Sequence, residues 1–314
     1  MRPCGNVADA LPTRDDVERA RTRIASRVHR TPLLSSRTLN AKLKAELFQR
    51  TGSFKVRGAL NRLDSLTGAE KKRGVIAISA GNHAQAVAYA AATENVDALV
   101  VMWQGASAQK IEATRGYGAT VDLEATDPGE AFERLHELEQ QTGRALVHPF
   151  NCPFGIPGAG TVGLEIEEDA PDADAVIVAV GGGGLVSGIQ TAIGATTRVI
   201  AVEPEASQAL HAGIAANEST PVTPTSIADG LNAPFAGDLP IQICKNLERH
   251  LVSEDEIKDA FRLIYARTKL AVEPAAAAAV AAWTTGKIQA DNPVIVISGG
   301  NVAGETAAAI LAGR

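Results

Sequence analysis

The sequence predicts an α/β protein with open, twisted parallel sheets that helices cover on both faces. Short segments that are apolar throughout, rich in Val, Ile and Ala, alternate with longer segments of helical character. Such strands are typical of parallel sheets, because both of their faces are buried. No repeat with a period of roughly 20–50 residues is visible, which excludes a solenoid.

The predicted elements follow one another regularly along the chain. The strands are 74–79, 98–102, 119–123, 175–180, 198–203 and 294–298. The helices are 83–93, 106–117, 129–141, a segment that begins at 185, then 254–268, 273–285 and 303–311. The alanine run 275–279 favours a helix packed closely on a sheet, because Ala has the best helix propensity.

The composition excludes several other classes of protein. Of 314 residues, 45% are hydrophobic and 21% are charged, as in ordinary globular proteins. The formal net charge of −6 provides no basic field for nucleic acid or anionic lipid. The apolar segments are shorter than the roughly 20 residues that cross a membrane. Segment 1–6 lacks the features of a signal peptide, and Cys4, Cys152 and Cys244 form no disulfide pattern or metal cluster, so we expect a cytoplasmic protein.

The alternation of strands and helices stops once in the middle of the chain. Segment 142–161 is rich in Gly and Pro, and is either an ordinary loop or a crossing between two α/β domains. We predict a large domain formed by 1–66 and 148–314, and a small domain formed by 67–147. A second irregular segment, 218–237, predicts a long loop of the kind that is often functional.

A lysine at the start of a predicted helix is the first candidate for chemistry. Lys55 stands between Phe54 and Val56 and precedes an apolar helix. A single lysine is usually a solvated charge, but this one is poorly placed for capping, because a helix N-terminus is itself positive. The position favours a functional lysine with a lowered pKa, which can act as a nucleophile or a base.

Three polar or glycine-rich turns follow predicted strands. They are SAGNH (79–83), GGGG (181–184) and SGGN (298–301). Each alone could be an ordinary helix N-cap or turn. The carboxyl ends of parallel strands meet at one edge of a sheet, however, and ligands bind there. The four glycines let the backbone wrap a phosphate, whereas a dinucleotide is disfavoured because only Glu203 follows at the next strand end.

One ligand explains all of these features together. A phosphate-bearing aldehyde, held by Lys55 as a Schiff base, would use the lysine, the glycine turn, the polar turn and the Ser298 hydroxyl. The sequence therefore predicts pyridoxal 5'-phosphate as the cofactor.

The same motifs resemble those of a known family. TGSFKVRGA, SAGNHAQA, GGGGLVSG and SGGN are similar, in order and spacing, to motifs of the fold-type II pyridoxal-phosphate enzymes, most closely the threonine/serine dehydratases. The resemblance runs from about Arg30 to about Asn301. It implies a fold similar to the tryptophan synthase β subunit, with the cofactor between two domains. It also implies β-elimination from L-threonine or L-serine to a 2-oxo acid and ammonia, by a homodimer without nucleic-acid or membrane partners.

The resemblance further implies a role for each motif residue. Lys55 is similar to the Schiff-base lysine and general base, and Phe54 to the residue packed against the cofactor ring. Asn82 is similar to the partner of the pyridine 3-hydroxyl, and Ser298 to the partner of the pyridine nitrogen. The turn that binds the substrate carboxylate corresponds to Ser79, Ala80, Gly81, Asn82 and His83. The phosphate loop corresponds to Gly181, Gly182, Gly183 and Gly184, and the far side of the cofactor to Gly230 and Glu273.

Several positions depart from the family pattern. Segment 39–44 is short by several residues, which puts the first strand of the large domain in doubt. Ala80 stands where serine racemases carry the serine that acts on the second face of Cα, so racemisation is expected to be slow. Ala209 stands where metal-dependent relatives have an acidic ligand after Glu203, so no metal site is expected. The chain resembles a short form without a regulatory domain, and feedback inhibition by isoleucine is not expected.

Other functions stay open beside this one. A serine racemase and a 3-hydroxyaspartate ammonia-lyase share the same fold, whereas the synthases usually carry Thr at the position of His83. A non-catalytic phosphate- or nucleotide-binding protein would belong to a different class, and it would leave Lys55 unexplained. Threonine and serine are equally compatible with the motifs.

Overall fold

The computed structural model describes residues 11–313, which form two sheets flanked by helices. The expectations for Cys4 and for segment 1–6 concern residues outside this range. The strands of the larger sheet are β1 (Leu33–Ser36), β2 (Ala41–Ala45), β7 (Ala175–Ala179), β8 (Arg198–Pro204), β9 (Glu248–Val252) and β10 (Pro293–Ile297). Those of the smaller sheet are β3 (Val75–Ile78), β4 (Ala98–Trp103), β5 (Thr120–Ala125) and β6 (Ala145–Leu146).

The helices cover both faces of these sheets. The N-terminal ones are α1 (Arg14–Ile24), α2 (Lys55–Asp64), α3 (Gly68–Arg73), α4 (Asn82–Thr93), α5 (Ala108–Gly116) and α6 (Pro128–Thr142). The remaining ones are α7 (Gly155–Asp169), α8 (Gly184–Ala192), α9 (Ala209–Ala216), α10 (Asp238–Cys244), α11 (Glu254–Thr268), α12 (Pro274–Thr284) and α13 (Gly304–Leu311). Among residues 11–313, no helix has the length and hydropathy that a membrane crossing requires.

The strand order confirms the predicted parallel sheets. The smaller sheet, in the order β5-β4-β3-β6, is parallel throughout. The larger sheet has the order β1-β2-β10-β7-β8-β9, in which β1 pairs antiparallel with β2 and the other pairs are parallel. All six predicted strands are present with small differences at their ends, whereas β6, β9 and the β1–β2 hairpin were not among them.

The shortness of segment 39–44 puts the first strand of the large domain in doubt. That doubt is wrong, because β2 is present in the larger sheet. β2 pairs in parallel with β10, with Leu43 opposite Ile295, and both side chains are buried. The turn before β2 is tight because Asn40 adopts a left-handed conformation, with φ of 46°. Asn tolerates that conformation better than most residues, so the hairpin closes without extra length.

The prediction of a loop over 142–161 is wrong in its second half, where α7 begins. Pro157 lies in the first turn of α7, where a missing N–H is tolerated. A Cβ added to Gly158 would lie 2.5 Å from the carbonyl oxygen of Arg57, and one added to Gly160 would lie 2.6 Å from that of Gly188. The glycines of α7 therefore permit close approach of α2 on one side and α8 on the other.

The alanine-rich segment is a helix buried against the larger sheet, as predicted. In α12 the residues from Pro274 to Ala282 are all buried, and its alanines belong to the same core cluster as Ile177 and Ile295 of the sheet. Segment 218–237 is a long loop, in which the only helical turn is the 3₁₀ turn Asp229–Leu231. This loop runs past the carboxyl ends of the strands, where the cavity described next opens.

Candidate active site

A cavity of about 780 Å³ lies at the carboxyl ends of the strands of both sheets. All the residues that the sequence singled out for the cofactor and the substrate line it, namely Phe54, Lys55, Ser79, Ala80, Gly81, Asn82, His83, Gly181, Gly182, Gly183, Gly184, Gly230, Glu273 and Ser298. Its volume is in the range that binds a cofactor together with a small substrate. The fold therefore brings together four sequence motifs, of which the first and last, at Lys55 and Ser298, are more than 240 residues apart.

Lys55 is the first residue of α2, and it is partly buried where it lines the cavity. Its Nζ donates a hydrogen bond to the carbonyl oxygen of Pro149 at 2.9 Å and lies 5.2 Å from the centre of the Phe54 ring. Burial lowers the pKa of Lys55 to about 8, against the opposing effect of the Glu273 carboxylate. A larger fraction of the amine is neutral near pH 7 than in an exposed lysine, which makes it a better nucleophile.

The glycine loop 181–184 leads into α8. Gly183 has a φ of 93°, which non-glycine residues rarely adopt, and a Cβ on Gly182 would lie 2.2 Å from the Phe150 ring. Side chains are thus excluded, and backbone N–H groups are left at the positive end of a helix, the usual binding site of a phosphate. With Lys55 in the same cavity, the loop fits a phosphate-bearing aldehyde.

The Asn82 side chain is held from two sides. Its Nδ2 donates to both carboxylate oxygens of Glu273 at 2.9 Å, and its Oδ1 accepts a hydrogen bond from Asn301 at 2.8 Å. Burial raises the pKa of Glu273 to about 7, although the hydrogen bond from Asn82 opposes the shift. The pair joins α4 to the N-cap of α12. Sequence reasoning missed the role of Asn301, although it stands in the SGGN motif.

His83 is buried, and its ring is engaged with the protein backbone. Its Nε2 lies 2.8 Å from the carbonyl oxygen of Val147. Burial and the nearby charge of Lys55 lower the pKa of His83 to about 3, so the ring is neutral and Nε2 is the donor. The ring therefore anchors the 79–83 turn to the end of β6. Within the turn, the Gly81 N–H donates to Ser79 Oγ at 3.1 Å.

Ser298 ties the end of β10 to the residue before Lys55. The Phe54 N–H donates to the Ser298 carbonyl oxygen at 3.1 Å, and Ser53 and Gly299 form an isolated β-bridge. The Glu273 N–H donates to the Gly299 carbonyl oxygen at 3.2 Å. These backbone hydrogen bonds hold Ser298 close to Phe54, and therefore close to Lys55, the next residue.

The cavity has walls that sequence reasoning did not identify. Phe132 of α6 and Phe150 both pack against Phe235 of the long loop, with ring centres 6.0 and 5.5 Å apart. Lys110 of α5 forms an ion pair with Asp229, which precedes the predicted Gly230. These side chains come from separate segments, and their contacts were not visible as a local sequence pattern.

Glu203, the candidate for a metal ligand, does not line the cavity. Its buried carboxylate accepts hydrogen bonds from the N–H groups of Leu210 and His211 at 2.7 and 3.0 Å, and the His211 ring also contacts it. The carboxylate thus caps the first turn of α9. Within the part of the chain described, no three acidic, His or Cys residues are grouped as metal ligands.

Comparison with known proteins agrees with this geometry. The family of pyridoxal-phosphate dependent enzymes matches residues 24–299. The catabolic L-threonine dehydratase TdcB of Escherichia coli strain K12 is 41% identical over 304 residues, which cover 92% of each chain. The L-threonine ammonia-lyase of Thermotoga maritima is also 41% identical, over 92% of this chain and 76% of that protein.

Solved structures show the same similarity in three dimensions. The threonine deaminase of T.th. superposes with a TM-score of 0.87 at 38% identity, covering 93% of this chain and 99% of that one. Maize serine racemase gives a TM-score of 0.88 at 34% identity, covering 95% of this chain and 96% of that one. With its partly buried lysine and its glycine loop in one cavity, this chain belongs to the pyridoxal-phosphate-dependent enzymes of fold type II, in the family of the threonine dehydratases.

Proposed function

We propose that the protein removes the Cα hydrogen and the β-hydroxyl of L-threonine and/or L-serine as water. Hydrolysis of the resulting enamine then gives a 2-oxo acid and ammonia. The observation that carries the proposal is the partly buried Lys55, which lines one cavity together with the glycine loop 181–184. The names of the relatives support the same reaction, since several are threonine dehydratases or ammonia-lyases. Serine as a second substrate rests on the sequence resemblance.

In this proposal each part of the cavity has a separate task. Pyridoxal phosphate, when bound, supplies an electron-withdrawing ring that acidifies the substrate Cα–H. Lys55 would hold the cofactor through its Nζ and, with substrate in place, would take the Cα proton as general base. The N–H groups of the glycine loop would hold the phosphate. Ser298 would be the partner of the ring nitrogen, and its neutral hydroxyl would stabilise positive charge there less than a carboxylate would.

In this proposal the turn 79–83 and the neighbouring cavity wall hold the substrate. Asn82 is held in place by Glu273 and Asn301, and in this position it would serve as the partner of the cofactor hydroxyl. The N–H groups of the turn bind the substrate carboxylate at the start of α4, where the helix dipole favours an anion. We also assign Phe54 to the cofactor ring, and Gly230 and Glu273 to its far side.

The charges of the cavity wall favour a small, uncharged substrate side chain. Among the described residues that line it, the lysines are Lys55, assigned to the cofactor, and Lys110, paired with Asp229. The side-chain carboxylate of 3-hydroxyaspartate would find no unpaired lysine there, and burying that carboxylate without a partner is costly. Apolar side chains such as Phe132 and Val222 suit the methyl group of threonine.

The alternatives explain less of the cavity. A serine racemase is favoured by the similarity to the maize enzyme, but Ala80 lines the cavity with a methyl group that cannot donate a proton. A non-catalytic phosphate-binding protein would need the glycine loop alone. It gives no reason to bury a lysine amine at a cost in solvation free energy.

We further propose that the protein assembles as a homodimer and acts in the cytoplasm. We propose two domains, a large one formed by 1–66 and 148–314 and a small one formed by 67–147. These proposals rest on the family resemblance and on the composition. Light scattering of the purified protein measures the assembly, and a mass near that of a single chain would contradict the dimer.

A substrate screen tests the proposed function directly. Purified protein with pyridoxal phosphate is supplied with L-threonine, L-serine, D-serine and 3-hydroxyaspartate, and 2-oxo acid and ammonia are measured together. We expect the highest kcat/KM with L-threonine or L-serine. Borohydride should bleach the visible absorbance and label Lys55. A colourless protein that takes up no added cofactor would refute the proposal.

A further inference from the structure

A buried cluster of charges lies beside Lys55 in the fold but does not line the cavity. It consists of Arg57, Glu46, Glu165 and Lys44, whose side chains are between 0 and 9% exposed. Two cations and two carboxylates balance one another. Arg57 is only two residues after Lys55, in the same first turn of α2.

Arg57 binds both carboxylates with its planar fork. Its Nε and Nη2 donate to Glu46 at 2.8 Å, and its Nη1 and Nη2 donate to Glu165 at 2.7 and 3.0 Å. Nη1 also donates to the Thr161 hydroxyl at 3.1 Å. A guanidinium held in two bidentate pairs has a fixed position and a fixed orientation.

The first turn of α2 depends on the ion pairs of Arg57, the one residue of the cluster on this helix, because the helix has no side-chain cap. Its N-cap is Phe54, which makes no capping hydrogen bond through its side chain. The backbone of α2 also contacts α7 closely, because a Cβ on Gly58 would lie 2.8 Å from the Gly155 carbonyl oxygen. Arg57 and Glu165 thus join α2 to α7 at the turn that carries Lys55.

Through α7 the same connection reaches the glycine loop. A Cβ on Gly188 of α8 would lie 2.5 Å from the Gly160 nitrogen of α7. α8 begins at Gly184, the last residue of the loop 181–184. The helix α7 therefore stands between the helix of Lys55 and the helix of the loop, in contact with both.

We propose that Arg57 is a positioning residue, whose ion pairs with Glu46 and Glu165 fix the amine of Lys55 relative to the glycine loop. The inference rests on the function proposed for Lys55. Stability alone is a weak reason for such a cluster, because the solvation that buried ion pairs lose can exceed what they gain in attraction. A displacement of about 1 Å at a reacting group can lower a rate on the order of 100-fold.

The test compares variants of the holoenzyme that disturb the cluster at different places. Arg57→Lys keeps the positive charge but loses the planar guanidinium with its paired donors. Thr161→Val removes a single hydrogen-bond acceptor of Arg57. Lys44→Met is the matched control, because Lys44 is equally buried and pairs with Glu165 but lies on β2. Each variant is measured for denaturant stability, for kcat and KM, and for the pH midpoint of the visible absorbance of the bound cofactor.

We expect Arg57→Lys to lower kcat by at least about ten-fold with little change in KM, and to shift the absorbance midpoint. Thr161→Val should lower kcat by a few-fold. Lys44→Met should lose stability while keeping kcat within about two-fold. Equal losses of kcat in Lys44→Met and Thr161→Val at equal stability would overturn the inference, even where Arg57→Lys does not fold. An unmodified protein without a borohydride-sensitive absorbance would instead overturn the proposed function.

Discussion

Lys55 and Glu273 are ionisable side chains that line one cavity, where Lys55 is partly buried and Glu273 is buried. Burial lowers the pKa of Lys55 to about 8 and raises that of Glu273 to about 7. Both shifts have the same origin, since burial disfavours the charged form of either group. The two side chains therefore titrate much closer to neutral pH than they would on the surface.

The pKa of Lys55 sets how fast the apoprotein captures its cofactor. Only the neutral amine attacks an aldehyde, and Lys55 becomes neutral as the pH rises through about 8. We expect the capture rate to rise with pH and level off above that value. Stopped-flow absorbance measures the rate.

In the Glu273→Gln variant the pH midpoint of the capture rate should be lower, since the Glu273 charge raises the pKa of Lys55. In the unmodified protein, a pH midpoint near that of an exposed lysine, roughly 10, would contradict the prediction.

Replacement of Lys55 should abolish turnover while the fold is retained. In Lys55→Ala both the attachment point and the base are lost, and we expect the rate of 2-oxo acid release to fall by a factor on the order of 1,000 or more. Circular dichroism checks the fold. Lys110→Ala, at the other lysine of the cavity wall, is the control and should keep borohydride labelling at Lys55. Ammonia release by folded Lys55→Ala at the normal rate would disprove the role.

Racemisation should be slow beside elimination because of Ala80. This residue lines the cavity without a group that exchanges protons. We expect D-serine to form at least about ten times more slowly than pyruvate from L-serine, and Ala80→Ser to raise that ratio of D-serine to pyruvate. Chiral chromatography of the remaining serine, together with a pyruvate assay, gives both rates. D-serine that accumulates as fast as pyruvate would show that another residue serves the second face.

Most residues of the cavity could be predicted because their motifs follow strand ends, whereas Lys55 was marked by its place at a helix start, and Gly230 and Glu273 by the family resemblance alone. Their partners could not. Glu273 and Asn82 are 191 positions apart, and neither segment shows that one will bind the other. His83 was assigned to the substrate, but its ring is hydrogen-bonded to the backbone of Val147. A residue type suggests its chemistry, while its neighbours in space decide which atoms remain available.

At the scale of single elements, the glycine loop shows why four glycines occur together. A side chain on Gly182 would overlap the Phe150 ring, which itself packs against Phe235. The α7 segment shows the opposite case, in which glycines mislead. Gly158 and Gly160 suggested a loop, because Gly has poor helix propensity, but close helix packing outweighs that preference. Strands such as β3 and β10 were predictable, since burial on both faces leaves a continuous apolar pattern.

The glycine loop should not tolerate even one methyl group. In Gly182→Ala the ring of Phe150 must move, and overpacking of this kind costs roughly 1–3 kcal/mol. We expect the dissociation constant for pyridoxal phosphate, measured by fluorescence titration, to rise at least about ten-fold. Gly116→Ala, where a Cβ would meet nothing within 4 Å, is the control. Unchanged cofactor affinity in Gly182→Ala would argue against a phosphate site at this loop.

At the scale of the whole molecule, side-chain contacts other than those of Asn82 with Glu273 and Asn301 also join the two sheets across the cavity. The ion pair of Lys110 with Asp229 links α5, beside the smaller sheet, to the long loop of the larger one. The contact between Phe132 and Phe235 makes a second link. The sequence predicted the cavity between two sheets but not these links, because each depends on how the two parts of the fold meet.

Loss of the Lys110 ion pair should weaken substrate binding more than chemistry. In Lys110→Met we expect KM to rise about two- to five-fold with kcat little changed, since a partly exposed ion pair contributes about 0.2–1 kcal/mol. Arg115→Met is the control, because Arg115 pairs with Glu112 within α5. Steady-state kinetics gives both constants. A fall in kcat with constant KM would place Lys110 in the chemical step instead.

The close packing of α7 also limits how this protein can be adapted to heat. Replacing helical glycines with alanine is a common route to thermostability, because it restricts the unfolded chain. At Gly158 and Gly160 the added methyl groups would force neighbouring backbones apart. Gly68 and Gly304 have no atom within 4 Å of such a group. Engineering or adaptation for higher temperature therefore has to act at the periphery of the fold and leave α7 unchanged.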